Sequence, residues 1–252
     1  MRQHGFESLR PSPIDLRKAD DGKFFRRFSA IHRVHKAGDH SLEGLPLIQP
    51  VIRPMNRDCQ CLCCRQRGFD VLMSRIHALF EAIVRNSIEA AGDLFDFVYV
   101  AEDLGTQESL LMSPRAIRRF ILPRLAKVVE IAHAAGKRAF HHDDGAIRPV
   151  LPDLLRIGID ILNPIQWRAK GMEREALARD FGRGVVFHGG VDNQHTLPFG
   201  SREDVRREVG ENIRIFRQCK GYVVAPCHNL QSNTPTENVV ALYEAVDEFG
   251  RC

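Results

Sequence analysis

From Gly68 onward, short apolar runs alternate with amphipathic helical stretches, and each run ends in polar residues or glycines. That alternation restricts the chain to folds in which parallel strands are joined by right-handed helical crossovers. Five such units are legible. The strands read as 95–101, 138–140, 159–164, 185–192 and 221–228, and helices follow from Ser113-Pro114, Ala146, Glu173, Arg202 and Pro235. Ser113 reads as a cap with proline in the first turn, and Thr234 as the cap of the last helix. The strands are apolar throughout, as expected where helices cover one face and a barrel interior fills the other. Their ends are Glu102-Asp103, His142-Asp144, Asn163-Gln166, His188-Asp192 and Cys227-His228. Polar residues at one end of every strand are the pattern of a barrel with its site on the C-terminal face. A flat doubly wound sheet gathers them near one switch point. The expected fold is therefore α/β, a parallel (β/α) TIM-type barrel of which the last five β/α units can be read.

Two segments are expected: an irregular basic stretch, 1–67, and a barrel domain, 68–252. Phe69 to Ala91 opens the second as an amphipathic helix, with Gly92 near its end. Residues 1–68 hold 13 Lys/Arg against 7 Asp/Glu, so the net charge of +4 comes from this part of the chain. No aromatic interleaving or nucleic-acid motif accompanies it, so a solvated surface without a nucleic-acid partner is expected. Asp15 to His35 is a candidate helix, Leu45 to Pro54 is too rich in proline for a central strand, and packing without a regular sheet is expected here. Cys61 and Cys64 form a C-x-x-C inside the cluster Cys59–Cys64, but no second pair lies at zinc-finger spacing. Seven cysteines without framework spacing argue against disulfides. No run approaches a membrane span and the start lacks a signal-peptide core, so a cytoplasmic protein is expected. Neither G-x-G-x-x-G nor a P-loop occurs, which removes support for nucleotide folds.

The chemistry centres on Phe140-His141-His142-Asp143-Asp144-Gly145. A strand repeats every two residues, so His142 and Asp144 share a face and aim at one point. That spacing suits one metal ion or one substrate. The bland alternative is a water-filled cleft of solvated side chains, with Asp144 capping the next helix. His141 and Asp143 are expected to be solvated turn residues.

Asp103-Leu104-Gly105-Thr106-Gln107, His142-x-Asp144-Gly145, Asn163-Pro164-Ile165-Gln166, Gly189-Gly190-Val191-Asp192 and His228-Asn229-x6-Glu237-Asn238-Val239 occur in order, one per strand. Together they resemble the uroporphyrinogen decarboxylase superfamily, which includes cobalamin-related methyltransferases acting on methylated thiols, amines and methanol. The resemblance covers Gly68 to Gly250 and implies an eight-stranded barrel. In the zinc methyltransferases a His-x-Cys-Gly motif supplies two metal ligands and a cysteine on the last strand a third. Here aspartate stands in the cysteine position. The resemblance thus implies His142, Asp144 and either His228 or Cys227 as ligands of Zn2+ or another divalent ion. Counting back from Thr234-Pro235 favours His228. Asp103 is implied as a base or a group supporting the ligands, His228 also as a catalytic polar group, and Gln107, Asn163, Gln166 and Asp192 as substrate residues. The decarboxylases' Arg-Gln-Ala-Gly-Arg-Tyr segment is not reproduced in residues 1–67.

Three functions are open at this point. The first is methyl transfer between a small substrate and a corrinoid, a corrinoid protein or a thiol, assisted by a metal. The second is cofactor-free decarboxylation of a tetrapyrrole, with His228 as a polar anchor. The third is an inactive relative or binding protein whose unpaired strand edges invite a homodimer.

Overall fold

The computed structural model describes residues 62–251. The expectations for Asp15–His35, Leu45–Pro54 and the cysteines before Leu62 lie outside the described residues. Helix α1, Leu62–Ala91, begins ahead of Gly68, so regular structure reaches into the segment read as irregular. Then come β1 (Phe97–Glu102), β2 (Arg138–Asp143), β3 (Ile161–Asn163), β4 (Val186–Val191) and β5 (Tyr222–Pro226). Between β1 and β2, helix α2 runs through 114–134 with one π-helical stretch at Ile117–Ile121. Helix α3 spans 148–156, α4 is Arg174–Phe181, α5 is Thr196–Phe199, α6 is Arg202–Phe216 and α7 is Thr236–Phe249.

The strands lie side by side in the order β1-β2-β3-β4-β5, every pair parallel. All their C-terminal ends therefore share one rim, and the polar ends read from the sequence stand on it. Among the described residues β1 pairs only with β2 and β5 only with β4, so the barrel is not closed. No described helix is long and apolar enough to cross a membrane.

Alternation along the strands divides the molecule into two faces. The outer face packs on the helices. Ile117, Leu151, Leu154, Phe187 and Phe216 are fully buried there, each contributing about 1.5–3 kcal/mol of transfer free energy. The inner face carries aromatic rings: Phe97 stacks on Phe140 at 5.0 Å, and Phe140 meets Tyr99 at 5.3 Å and His188 at 5.1 Å. Because the sheet is open, Phe97 and Tyr99 remain about half exposed. Helix α1 packs Val84 and Ile88 toward Val98, Val128 and Ala132. Its Leu72, Leu79, Phe80 and Ile83 are exposed.

Three local readings are corrected. Strand β2 does not stop at Phe140; it continues to Asp143. His141 and Asp143 are not solvated turn residues but fully buried side chains of its outer face. Asp143 can be buried because it is bonded: Oδ1 accepts from Leu104 N at 2.8 Å and Oδ2 lies 3.4 Å from His141 Nε2. Burial pushes its carboxyl above the usual range, opposed by His141 and the Leu104 amide. The cap of α7 is Pro235 rather than Thr234, one residue later than read.

Candidate metal centre on the strand-end rim

Asp103 follows β1, while His142 is the penultimate residue of β2 and Asp144 the first residue after it. One ligand atom from each of the three lies within 4.8 Å of the other two, a grouping that could hold a metal ion. Asp103 is exposed, and His142 and Asp144 are half-buried. His142 Nε2 and Asp144 Oδ2 are 3.7 Å apart, too far for a hydrogen bond, so the groups converge without satisfying one another. Burial pushes the Asp144 carboxyl up, offset by the nearby His142 and His228 and reinforced by Asp103.

Two glycines make this convergence possible. A Cβ on Gly105 would sit 2.6 Å from the Asp144 carbonyl oxygen, and one on Gly145 2.5 Å from that of Thr106. Gly145 also has φ +86°, a conformation glycine adopts without penalty. The loops after β1 and β2 therefore touch backbone to backbone, clamped by Ala146 N donating to Thr106 O at 2.7 Å. That contact brings the carboxylates of two successive loops to one place. Asp144 does not cap a helix, since α3 begins four residues later.

The other sequence-derived residues fall around this trio at different distances. The His228 ring centroid is 6.2 Å from that of His142, on the exposed side and outside the trio. Cys227 is buried, with Sγ 3.3 Å from the Ile165 carbonyl oxygen, and burial pushes its thiol up; it does not face the trio. Asn163 bridges two rings: Oδ1 lies 2.6 Å from His142 Nδ1 and Nδ2 lies 2.8 Å from His188 Nδ1. Gln166 braces the β2 loop by accepting from Gly145 N at 2.7 Å. Gln107 is exposed, and its carbonyl oxygen accepts from Lys170 N at 2.9 Å. Asp192 is buried and pairs with Arg168 and, at 3.2 Å, with His195. The bridge from His142 through Asn163 to His188 was not read from the sequence. The signal was present as the inward-facing alternation of β3 and β4, but strand register was needed to use it.

A cavity of about 420 Å³ lies to one side, lined by Trp167, Arg168, Arg174, His195 and Arg207. Its arginines are matched by Asp192, Glu211 and Asp204, so it has no surplus of positive charge for an anion. The trio, by contrast, brings together polar atoms that do not satisfy one another. One imidazole and two carboxylates form a hard donor set that suits a divalent ion with nitrogen and oxygen ligands.

Comparison with known proteins places the sequence and the fold. The family profile for uroporphyrinogen decarboxylase (URO-D) matches residues 59–249. A protein named uroporphyrinogen decarboxylase from Anaeromyxobacter dehalogenans (strain 2CP-C) is 28% identical over 176 residues, covering 69% of this chain and 48% of that protein. One of the same name from Anaeromyxobacter sp. (strain Fw109-5) is 26% identical over 175 residues, with the same coverage of each. The chain thus spans about half the length of the curated relatives it matches. A solved methyltransferase from Methanosarcina mazei superposes with a TM-score of 0.53 at 23% identity, covering 73% of this chain and 54% of that one. That likeness shows the fold.

Proposed function

Because the chain belongs to the uroporphyrinogen decarboxylase (URO-D) family, we propose that it is a metal-assisted methyltransferase. It acts on a small methylated substrate, with a corrinoid, a corrinoid protein or a thiol as the other partner. The observation that carries this reading is the meeting of Asp103, His142 and Asp144 ligand atoms within 4.8 Å. A divalent ion held there, zinc or a harder cation, supplies Lewis-acid activation of a substrate oxygen or sulfur at neutral pH.

The chain's own residues then have distinct tasks. Asp103 and Asp144 hold negative charge at the rim, and His142 presents a nitrogen between them. Gln166 keeps the Asp144 loop in place through Gly145 N. His228 stands on the exposed side of His142, where a substrate enters, and can exchange a proton with it. The methyltransferase name of the structural neighbour supports this reading.

Decarboxylation of a tetrapyrrole is the second reading, favoured by the names of the two curated relatives. It needs free cations around the rim to bind carboxylates. Arg148 is paired with Asp180 and Arg168 with Asp192, while the trio adds two carboxylates that repel a polyanion. Methyl transfer is therefore preferred. The deciding experiment supplies zinc-loaded protein with methanol, a methylamine or a methylated thiol and a reduced corrinoid, and follows methylcorrinoid by absorbance. Formation that disappears in Asp144→Ala supports the proposal. No methylcorrinoid from any donor, together with loss of carboxyl groups from a porphyrinogen, overturns it.

A further inference from the structure

The hydrogen bonds of Asn163 favour one arrangement. On one side its amide meets His188 Nδ1 at 2.8 Å and the His188 backbone carbonyl at 3.5 Å, and on the other His142 Nδ1 at 2.6 Å. A backbone carbonyl can only accept. The side facing His188 is therefore assigned to the Asn163 NH2 group, which has a partner in both, whereas the reversed amide would leave the carbonyl unpaired. That leaves Asn163 Oδ1, which can only accept, opposite His142 Nδ1. In this arrangement the Nδ1 of His142 carries a proton.

Burial of Asn163 makes the choice binding, since no water replaces a mismatched partner there. His188 takes part as a neutral ring accepting at Nδ1, and its burial favours the neutral form in the same sense. From these contacts we propose that Asn163 and His188 are positioning residues that lock His142 in its Nδ1–H form, so that Nε2 is the nitrogen turned toward Asp103 and Asp144. The relay passes from the β4 ring through the β3 amide to the β2 ring, across three adjacent strands. An imidazole ligand whose far nitrogen is held by a hydrogen bond is fixed in both tautomer and orientation. The use of that fixed nitrogen as a ligand rests on the metal reading above; the tautomer itself does not.

The test is imidazole 15N–1H correlation NMR of the metal-free full chain, paired with zinc titration. In wild-type protein His142 shows its proton on Nδ1. In Asn163→Leu and His188→Leu, each checked for retained fold by circular dichroism, the proton redistributes toward Nε2. His188→Gln, which restores an acceptor for the Asn163 amide, returns it to Nδ1. Zinc affinity falls by about 10- to 100-fold in Asn163→Leu, the range for losing such a support. A wild-type His142 protonated on Nε2 overturns the inference, as does a folded His188→Leu with an unchanged His142 signal. If wild-type protein binds no zinc while the tautomer results hold, the metal reading fails and the relay stands.

Discussion

Replacing Gly105 by alanine should damage the proposed metal centre without touching any of the three residues that would hold the ion. The added Cβ would lie 2.6 Å from the Asp144 carbonyl oxygen and 2.8 Å from Ala146 N, against a normal contact beginning near 3.4 Å. The loops after β1 and β2 must then separate by about 0.8 Å, since both close atoms are backbone and cannot rotate away. Overpacking of this kind costs about 1–3 kcal/mol, or a fall in melting temperature of about 2–12 °C for a domain of this size. The same displacement moves Asp144 away from Asp103, and zinc affinity should fall by about 10- to 100-fold, as when a ligand's support is lost. Gly136→Ala is the control. It has a positive φ, +69°, which Gly105 does not, and nothing within 4 Å of its Cβ, so it should lose about 1–2 kcal/mol of stability with zinc affinity intact. Differential scanning calorimetry and isothermal titration of zinc read the two quantities. Gly105→Ala with wild-type melting and wild-type zinc affinity would refute the argument that the loop contact builds the site.

Ser201 caps α6, accepting from Asp204 N while Asp204 accepts from Ser201 N at 2.9 Å, so Ser201→Ala should lower the melting temperature by about 2–4 °C. The Ser201 hydroxyl and amide, with Arg207, hold the exposed Asp204 carboxyl at about 2, below its ordinary 3.8. This stabilisation is full above pH 3.8 and lost as pH falls through about 2; a carboxyl NMR titration with an ordinary midpoint would contradict it. Cys227 should resist alkylation in the native protein and react after unfolding, because it is buried and its thiol is pushed up; rapid native labelling mapped to Cys227 would argue otherwise.

The five parallel units were legible because strand and helix periods differ and because polar residues mark every strand end. The limits of β2 were not, because His141 and Asp143 look like turn residues until an outer helical layer covers them and the Leu104 amide meets Asp143. His142 and Asp144 could be paired from strand periodicity alone. Asp103 could not be added as a third ligand, since its approach depends on two distant glycines allowing one backbone contact. Cys227 and His228 are adjacent in sequence yet separated by burial. Both lie in the bend just past β5, where the thiol is buried and the imidazole exposed, a division that strand periodicity does not reach.

The most direct test of the account is a calorimetric zinc titration of chelator-treated protein, wild type beside Asp103→Asn, His142→Ala, Asp144→Ala and Cys227→Ser. The account predicts one site per wild-type chain, lost or severely weakened in each of the first three variants and unchanged in Cys227→Ser. Absence of a wild-type site, or a site that survives all three substitutions and disappears in Cys227→Ser, would contradict it.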